Sequence, residues 1–152
     1  MGKNAQQLLY IKRINDVVVY IDANLQEELS LKKLSEIACF SPFHFHRIFS
    51  ALLNETPNQY IMRRRLEKIA NVLLLDESFS SLTHLAQDHG FKSIHSFSRA
   101  FKNFFGMSAS EFQEQGKTEF SKIGKTLSKN GESKVSFEKY FYTLLRLILN
   151  TH

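Results

Sequence analysis

A helix-turn-helix pattern occurs twice in this chain, and the repetition constrains the fold more than any other feature. The copies cover residues 31–49 and 82–101. Equivalent residues lie 51 positions apart before the turn and 52 after it: Leu31, Leu34 and Phe40 recur as Leu82, Leu85 and Phe91, and Phe45, Arg47 and Phe49 recur as Phe97, Arg99 and Phe101. Two such units can place two helices into two stretches of DNA major groove. We therefore predict an all-α protein that binds DNA sequence-specifically.

The composition permits such a domain but does not by itself indicate a nucleic-acid partner. With 43% hydrophobic residues and 14 phenylalanines, the 152-residue chain has enough apolar material for a packed core. Its net charge of +5 is uneven, because residues 1–116 carry 13 basic against 12 acidic residues and residues 117–152 carry 7 against 3. The repeated region is nearly neutral, so a DNA-binding face must come from the arrangement of its charges.

A cytoplasmic protein is expected. No apolar run approaches the ~20 residues that cross a membrane, and residues 1–10 lack the apolar core of a signal peptide. The only cysteine, Cys39, excludes an internal disulfide and fits a reducing compartment.

Helical periodicity predicts seven helices in five segments. These are a first helix-turn-helix subdomain (8–55), a long connecting helix (56–76), a second helix-turn-helix subdomain (77–116), a polar linker (117–134) and an apolar C-terminal tail (135–152). The first helix is expected over 8–23, with an apolar stripe of Leu8, Ile11, Ile14, Val18 and Ile21. Helix boundaries are indicated by N-caps at Ser30, Ser41, Ser80 or Ser81, and Ser93, a C-cap at Gly106, and a capping box at Ser108–Glu111.

The longer helix of each copy has one apolar and one polar face. In the first copy the expected core stripe is Phe45, Phe49 and Leu52, and the opposite face holds Phe43, His46, Arg47 and Ser50. In the second copy the core stripe is Phe97, Phe101 and Phe104, and the opposite face holds Ile94, His95, Ser98, Arg99 and Lys102. Each polar face has an arginine in its middle, and its mixed donors and acceptors suit base edges.

Other interpretations of these residues remain open. A polar helix face is more often solvated, although a solvated face has no reason to recur with its turn and cap. Each arginine can pair instead with a carboxylate, and Phe43 or Ile94 can contact a thymine methyl group, contact the sugar backbone or pack into the core. Of the basic run 63–65, one arginine is expected to pair with Glu67 or another acid, the others being solvated or touching phosphate.

No catalytic site, metal site or cofactor is predicted. His44 and His46 are two residues apart and face different sides of a helix, while His84 and Asp88 supply only two ligands. Cys39 holds the turn position that Gly90 has in the second copy, which indicates a small turn residue rather than a reactive thiol. With no phosphate loop or nucleophile–base pair, an enzyme is the weakest interpretation.

Residues 14–116 resemble the DNA-binding domain of the AraC/XylS family of transcriptional regulators. The matching motifs are Leu31-x-x-Leu-Ser-x-x-Ala-x-Phe-Ser-Pro-x-His-Phe-x-Arg-x-Phe49, Thr56-Pro-x-x-Tyr60, Arg65-Leu-Glu-Lys68, Leu73-Leu74, Gly90-Phe91, Phe97-Ser-Arg-x-Phe-Lys102 and Phe105-Gly-Met-Ser108. The chain departs from the family pattern at Cys39, Ile69, Ala109 and Gln113. The resemblance implies two three-helix subdomains, joined by a rigid helix, that bind adjacent major-groove segments.

The resemblance also implies site residues and partners. The family's base-reading positions fall on Phe43, His46, Arg47, Ile94, His95, Ser98 and Arg99. DNA-backbone contacts are expected from Ser41, Ser50, Ser93, Ser96 and Lys102. Transcriptional activation through RNA polymerase is implied as well, with a monomer on double-stranded DNA.

Residues 41–47 and 122–131 look most like one branch of the family, in which an effector domain similar to the gyrase-inhibitory protein fold follows. About 20 residues follow the linker, too few for such a domain. The apolar tail is then a remnant, a helix packed on the second unit, or a dimer contact; we favour packing or dimerisation because an exposed tail invites aggregation. A ligand- or partner-responsive regulator is therefore the alternative function.

Overall fold

The computed structural model describes residues 2–75 and 78–118, in which every regular element is a helix. The helices are α1 (Gly2–Ala23), α2 (Leu31–Ile37), α3 (Pro42–Leu53), α4 (Pro57–Leu75), α5 (Leu82–Asp88) and α6 (Ile94–Phe105), followed by α7, which is helical over 109–118. The predicted all-α class is confirmed. The first two residues assigned to the linker are helical, and the rest of the linker and the apolar tail lie outside the described residues.

The predicted start signals cap the helices. The hydroxyl oxygens of Ser30, Ser41 and Ser93 accept hydrogen bonds from backbone N–H groups three residues later, as N-caps do. Of the two candidates before α5, Ser81 is the cap, since its Oγ accepts from the His84 N–H at 3.2 Å. Ser108 and Glu111 form the reciprocal capping box at the start of α7. Local sequence therefore sets where these helices begin.

The chain divides into two units. Within the described residues, the first unit contains 2–65 with 88–90, and the second contains 66–75, 78–87 and 91–118. The long helix α4 thus contributes residues to both cores. Its Tyr60 and Ile61 are buried in the first unit, and its Leu66, Ile69 and Leu73 are buried in the second.

The core of the first unit is built by α1, α2 and α3 with the start of α4. Its buried residues are Ile14, Val17, Ile21, Leu25, Leu29, Leu34, Ala38, Phe45, Phe49, Tyr60 and Ile61. The helix predicted over 8–23 begins earlier, at Gly2. The apolar stripe predicted for it is wrong in its first half, because Leu8 and Ile11 are exposed. Leu52 of α3 was also wrongly placed in the core: it is 45% exposed, and Leu53 packs there instead.

The core of the second unit is dominated by phenylalanine rings. Phe101 is fully buried, and its ring centroid lies 4.5 Å from that of Phe105 and 5.4 Å from those of Phe97 and Phe112. The predicted core residue Phe104 is instead 41% exposed, and Phe105 takes its place. The reason is angular: Phe105 is a four-residue step after Phe101, and it faces Phe112 of α7 at 4.9 Å.

The turns of the two helix-turn-helix motifs share a left-handed residue. Cys39 has φ 53° and Gly90, at the equivalent position, has φ 87°. Only glycine adopts this conformation without a steric cost from Cβ. Cys39 is therefore strained where its counterpart is not.

We expect Cys39→Gly to raise the free energy of unfolding by about 1 kcal/mol, because it removes the left-handed strain. The measurement is urea denaturation followed by circular dichroism. Cys39→Ala is the control, since it removes the thiol but keeps Cβ, and it should give no comparable gain. Equal effects of the two substitutions would attribute the change to the thiol and contradict the strain argument.

Candidate nucleic-acid interface

The predicted face of α3 is exposed around Phe43 and Arg47. Phe43, His46 and Arg47 are all exposed, and Phe43, at 73%, is the most exposed of the large hydrophobic residues in the described part of the chain. The guanidinium carbon of Arg47 lies 5.9 Å from the Phe43 ring centroid, within range of a cation–π contact. Of the alternatives for Phe43, packing into the core is excluded.

The face of α6 is polar and exposed. His95, Ser98, Arg99 and Lys102 all lie on the surface. Ile94 lies one residue before His95, which is the counterpart of Phe43 at the 52-residue offset. It is half-buried and packs against the second core. The faces therefore differ, because only the first presents a large apolar side chain.

The two central arginines are available for an external partner. Arg47 and Arg99 are exposed, and within residues 2–75 and 78–118 neither has a carboxylate within ion-pair distance. Their guanidinium groups are forks of N–H donors that match both guanine edges and phosphate. The carboxylate pairing considered for these residues does not occur within those ranges.

The serines at the start of each helix differ in what their hydroxyl groups can still do. Ser41 Oγ accepts from the His44 N–H at 3.3 Å, and Ser93 Oγ accepts from the Ser96 N–H at 3.1 Å. A hydroxyl that accepts in a cap can still donate its own hydrogen, but Ser93 donates to Ser96 Oγ and Ser96 donates to the Ser93 carbonyl oxygen. Further along α3, the hydroxyl oxygen of Ser50 is buried, so it has no surface to offer DNA.

The basic run 63–65 is engaged by the protein itself. Arg63 forms a two-pronged ion pair with Glu55, at 2.6 and 3.0 Å, and Arg64 Nε lies 2.9 Å from Asp22 Oδ1. Arg65 donates to three backbone carbonyl oxygens. One arginine was expected to pair with an acid, and two of them do, Arg63 and Arg64. Because all three side chains are bonded within the protein, we exclude residues 63–65 from the interface.

The Asp22 carboxylate of this network also receives the phenol of Tyr60. Tyr60 OH donates to Asp22 Oδ2 at 3.2 Å, and burial, with the nearby Asp22 charge, raises the pKa of Tyr60 to about 12. The phenol therefore stays protonated and keeps donating at neutral pH. Asp22, Arg64 and Tyr60 thus link α1 to α4 inside the first unit.

Sequence reasoning missed a cluster beside the start of α3. The rings of Tyr10, Phe40 and His44 meet edge to face, with centroids 5.0–5.6 Å apart, and the Arg13 guanidinium lies 5.1 Å from the Phe40 ring. Lys92, exposed and directly before the Ser93 cap, was missed as well. Two features of the sequence could have indicated these residues: Tyr10 and Arg13 lie one helical turn apart, and Lys92 directly precedes the Ser93 cap.

In residues 2–75 and 78–118, no three His, Cys, Asp or Glu side chains are grouped so that they could hold a metal ion. Over the same ranges, no helix combines the length and the apolar character needed to cross a membrane.

Comparison with known proteins gives consistent matches. The helix-turn-helix domain family matches residues 34–115. LumQ of Photobacterium leiognathi, a probable transcriptional regulator, is 35% identical over 105 residues, covering 68% of this chain and 42% of LumQ. The multiple antibiotic resistance protein MarA of Escherichia coli K12 is 33% identical over 110 residues, covering 70% of this chain and 85% of MarA. This chain thus spans less than half the length of one relative and most of the other.

Among solved structures, the fold is similar to that of the DNA-binding domain of AdpA, a global transcriptional factor determined in complex with a target DNA. The TM-score is 0.64 at 23% identity, and the match covers 70% of this chain and 94% of that domain. At this identity the likeness shows the fold.

Proposed function

Because this chain belongs to the AraC/XylS family of DNA-binding transcriptional regulators, we propose that it reads an asymmetric, two-part DNA site with α3 and α6. The observation that carries the proposal is the repeated exposed face, with Arg47 and Arg99 at equivalent positions and without carboxylate partners in the described ranges. Side chains read bases through hydrogen bonds and apolar contacts in the major groove. Each unit would contribute one such reader.

The proposed base contacts divide by chemistry. Arg47 and Arg99 suit the two acceptors on the guanine edge, while His46, His95 and Ser98 can donate or accept. Phe43 suits a thymine methyl group, because it is apolar, exposed and supported by Arg47. Ile94 offers only its exposed part, so its contact would be smaller.

The proposed backbone contacts lie at the ends of the same helices. Ser41 and Ser93 stand at the helix starts, where N–H groups attract phosphate, and Lys102 flanks the second face. Ser96 would have to exchange its hydrogen bond to the Ser93 carbonyl oxygen for one to a phosphate oxygen. We leave out Ser50, because its hydroxyl oxygen is buried. These contacts would supply affinity that falls with salt, while the base contacts supply sequence choice.

Selection of bound duplexes from a random pool, sequenced at two salt concentrations, tests this function. We expect two unlike motifs, because the equivalent positions of the two faces hold different residues: Phe43 corresponds to His95, and His46 corresponds to Ser98. A palindromic motif would indicate instead a dimer in which one unit reads both halves. No enrichment at either salt concentration would overturn the proposal.

Arg47→Ala and Arg99→Ala should each weaken binding to the selected site by about 1–3 kcal/mol, with a much smaller loss on random DNA. The reason is that a bidentate contact to guanine is lost together with its specificity. Fluorescence anisotropy on both DNAs measures the difference. Lys102→Ala is the control, for which we expect similar losses on both. An equal loss for the arginine variants would assign them to phosphate.

We further infer that the protein activates transcription through contact with RNA polymerase, as the family resemblance implies. In vitro transcription from a promoter carrying the selected site, with purified polymerase, should then give more transcript when the protein is added; less transcript would indicate a repressor. The ligand- or partner-responsive alternative depends on the apolar tail, which lies outside the described residues.

A further inference from the structure

The internal repeat extends into the helix that precedes each helix-turn-helix motif. Four residues of α1 recur 52 positions later in α4: Arg13, Ile14, Val17 and Ile21 correspond to Arg65, Leu66, Ile69 and Leu73. All six apolar members of this set are buried in their cores. The two arginines therefore occupy equivalent positions, one residue before the first buried residue of each set.

In the first motif, the arginine of α1 holds the turn. Arg13 Nη1 donates to the carbonyl oxygen of Cys39 at 3.2 Å, and its guanidinium lies over Phe40, the next residue. Cys39 is the left-handed residue of this turn. The peptide that Arg13 holds lies two residues before the Ser41 cap of α3.

In the second motif, the arginine of α4 does the same. Arg65 Nη1 donates to the carbonyl oxygen of Gly90 at 3.3 Å, while its Nε and Nη2 donate to the carbonyl oxygens of Leu25 and Glu27, both at 2.8 Å. Gly90 is the left-handed residue of this turn and groups with the first unit. The peptide that Arg65 holds lies three residues before the Ser93 cap of α6.

The same two peptide groups also make equivalent hydrogen bonds through their N–H groups. The N–H of Phe40 donates to the Ser35 carbonyl oxygen at 2.9 Å, and the N–H of Phe91 donates to that of Ala86 at 3.0 Å. In each turn, one peptide group is thus fixed through its N–H by the preceding short helix and through its C=O by an arginine. Two fixed ends leave that peptide plane little freedom to rotate.

We propose that Arg13 and Arg65 are equivalent positioning residues: Arg13 fixes the turn in front of α3, and Arg65 fixes the turn in front of α6. This inference rests on the proposed reading of DNA by α3 and α6. A turn that shifts displaces the N-terminal end of the helix that follows, and a small misplacement of a side chain is enough to lose a directional contact with a base. Neither arginine needs to touch DNA for this effect.

The guanidinium of Arg13 makes one hydrogen bond to the backbone, whereas that of Arg65 makes three. We therefore expect lysine substitution to have different effects at the two positions. A lysine can replace the single bond of Arg13, but one ammonium cannot reproduce the planar fork that serves three carbonyl oxygens around Arg65. Lysine should therefore restore function at position 13 and fail to do so at position 65.

The experiment compares Arg13→Met, Arg13→Lys, Arg65→Met and Arg65→Lys, with Lys12→Met as the control that removes an exposed charge next to Arg13. The first readout is amide hydrogen exchange of the free protein at residues 38–41 and 89–92. We expect roughly tenfold faster exchange at the first turn for Arg13→Met, and at the second turn for both position-65 variants. Lys12→Met and Arg13→Lys should leave both turns close to wild type.

The second readout is affinity for the selected site with one half scrambled. Arg13→Met should lose roughly tenfold on DNA that keeps only the first half, and Arg65→Met on DNA that keeps only the second. If Arg65→Met fails to fold, Arg65→Lys carries the test. Unchanged exchange at both turns would overturn the positioning role. Unchanged exchange with equal losses on specific and random DNA would do so too, and would make the arginines phosphate contacts.

The two readouts separate this inference from the function on which it rests. Hydrogen exchange is measured without DNA. Faster exchange at the turns of the variants therefore supports the conclusion that the arginines fix these turns, whatever DNA the wild-type protein binds. A wild-type protein that prefers no half-site would overturn the reading of DNA and, with it, the effect assigned to the arginines.

Discussion

Phe101→Ala is expected to lower the free energy of unfolding by about 3–5 kcal/mol, the range for a phenylalanine deleted from a packed core. Phe101 is fully buried and in ring contact with Phe97, Phe105 and Phe112. The loss is a large fraction of the about 5–15 kcal/mol by which folded domains are stable. The second unit should then unfold at a lower urea concentration than the first.

The measurement is urea denaturation, with hydrogen exchange to separate the two units. Phe104→Ala is the matched control, because it removes the same side chain three residues along the same helix. Phe104 is 41% exposed and contacts the ring of Phe105 at 4.8 Å, so we expect a loss of about 1 kcal/mol or less. Equal losses for the two variants would show that α6 is rotated from the orientation described.

This pair of residues also shows what periodicity could and could not predict. Core positions on a helix recur after three or four residues, so both Phe104 and Phe105 satisfied the pattern after Phe101. The choice depends on where Phe112 of α7 lies, which is tertiary information. The same ambiguity placed Leu52 in the core instead of Leu53.

The helix starts were predictable because their signals are local. The serine caps and the capping box act within three residues of the helix they begin. The first helix was not predictable in full, since its exposed Leu8 and Ile11 continue the apolar spacing without being buried. Periodicity reports a face, and only packing decides whether that face is covered.

The candidate interface was predictable from the repeat, and its details were not. Duplication of the polar face indicated α3 and α6, and the family resemblance it supported is confirmed. The exposure of Phe43 and the half-burial of Ile94 depend on packing. The partners of Arg64 and Arg65 are remote in sequence: Arg64 meets Asp22 across 42 positions, and Arg65 meets Leu25 across 40. No local pattern encodes such pairs.

Gly90→Ala is expected to lower the free energy of unfolding strongly, because Gly90 lies against Arg65. A Cβ at this residue would lie 2.7 Å from both the Arg65 guanidinium carbon and the Leu25 carbonyl oxygen. The φ of 87° adds left-handed strain of about 1–2 kcal/mol, and the overlap adds about 1–3 kcal/mol, so we expect a loss of about 2–5 kcal/mol. Arg65 can yield at its flexible end, whereas the backbone oxygen of Leu25 cannot move without its turn.

Gly106→Ala isolates the strain from the overlap. Gly106 also has a left-handed φ, 76°, but a Cβ there meets nothing within 4 Å, so its loss should stay at about 1–2 kcal/mol. Urea denaturation of both variants gives the difference, and equal losses would mean that the turn adjusts to a side chain at position 90. The double variant Arg65→Met, Gly90→Ala should lose less than the sum of the single losses, because both changes act on the same contact. Strict additivity would show that Arg65 does not hold Gly90.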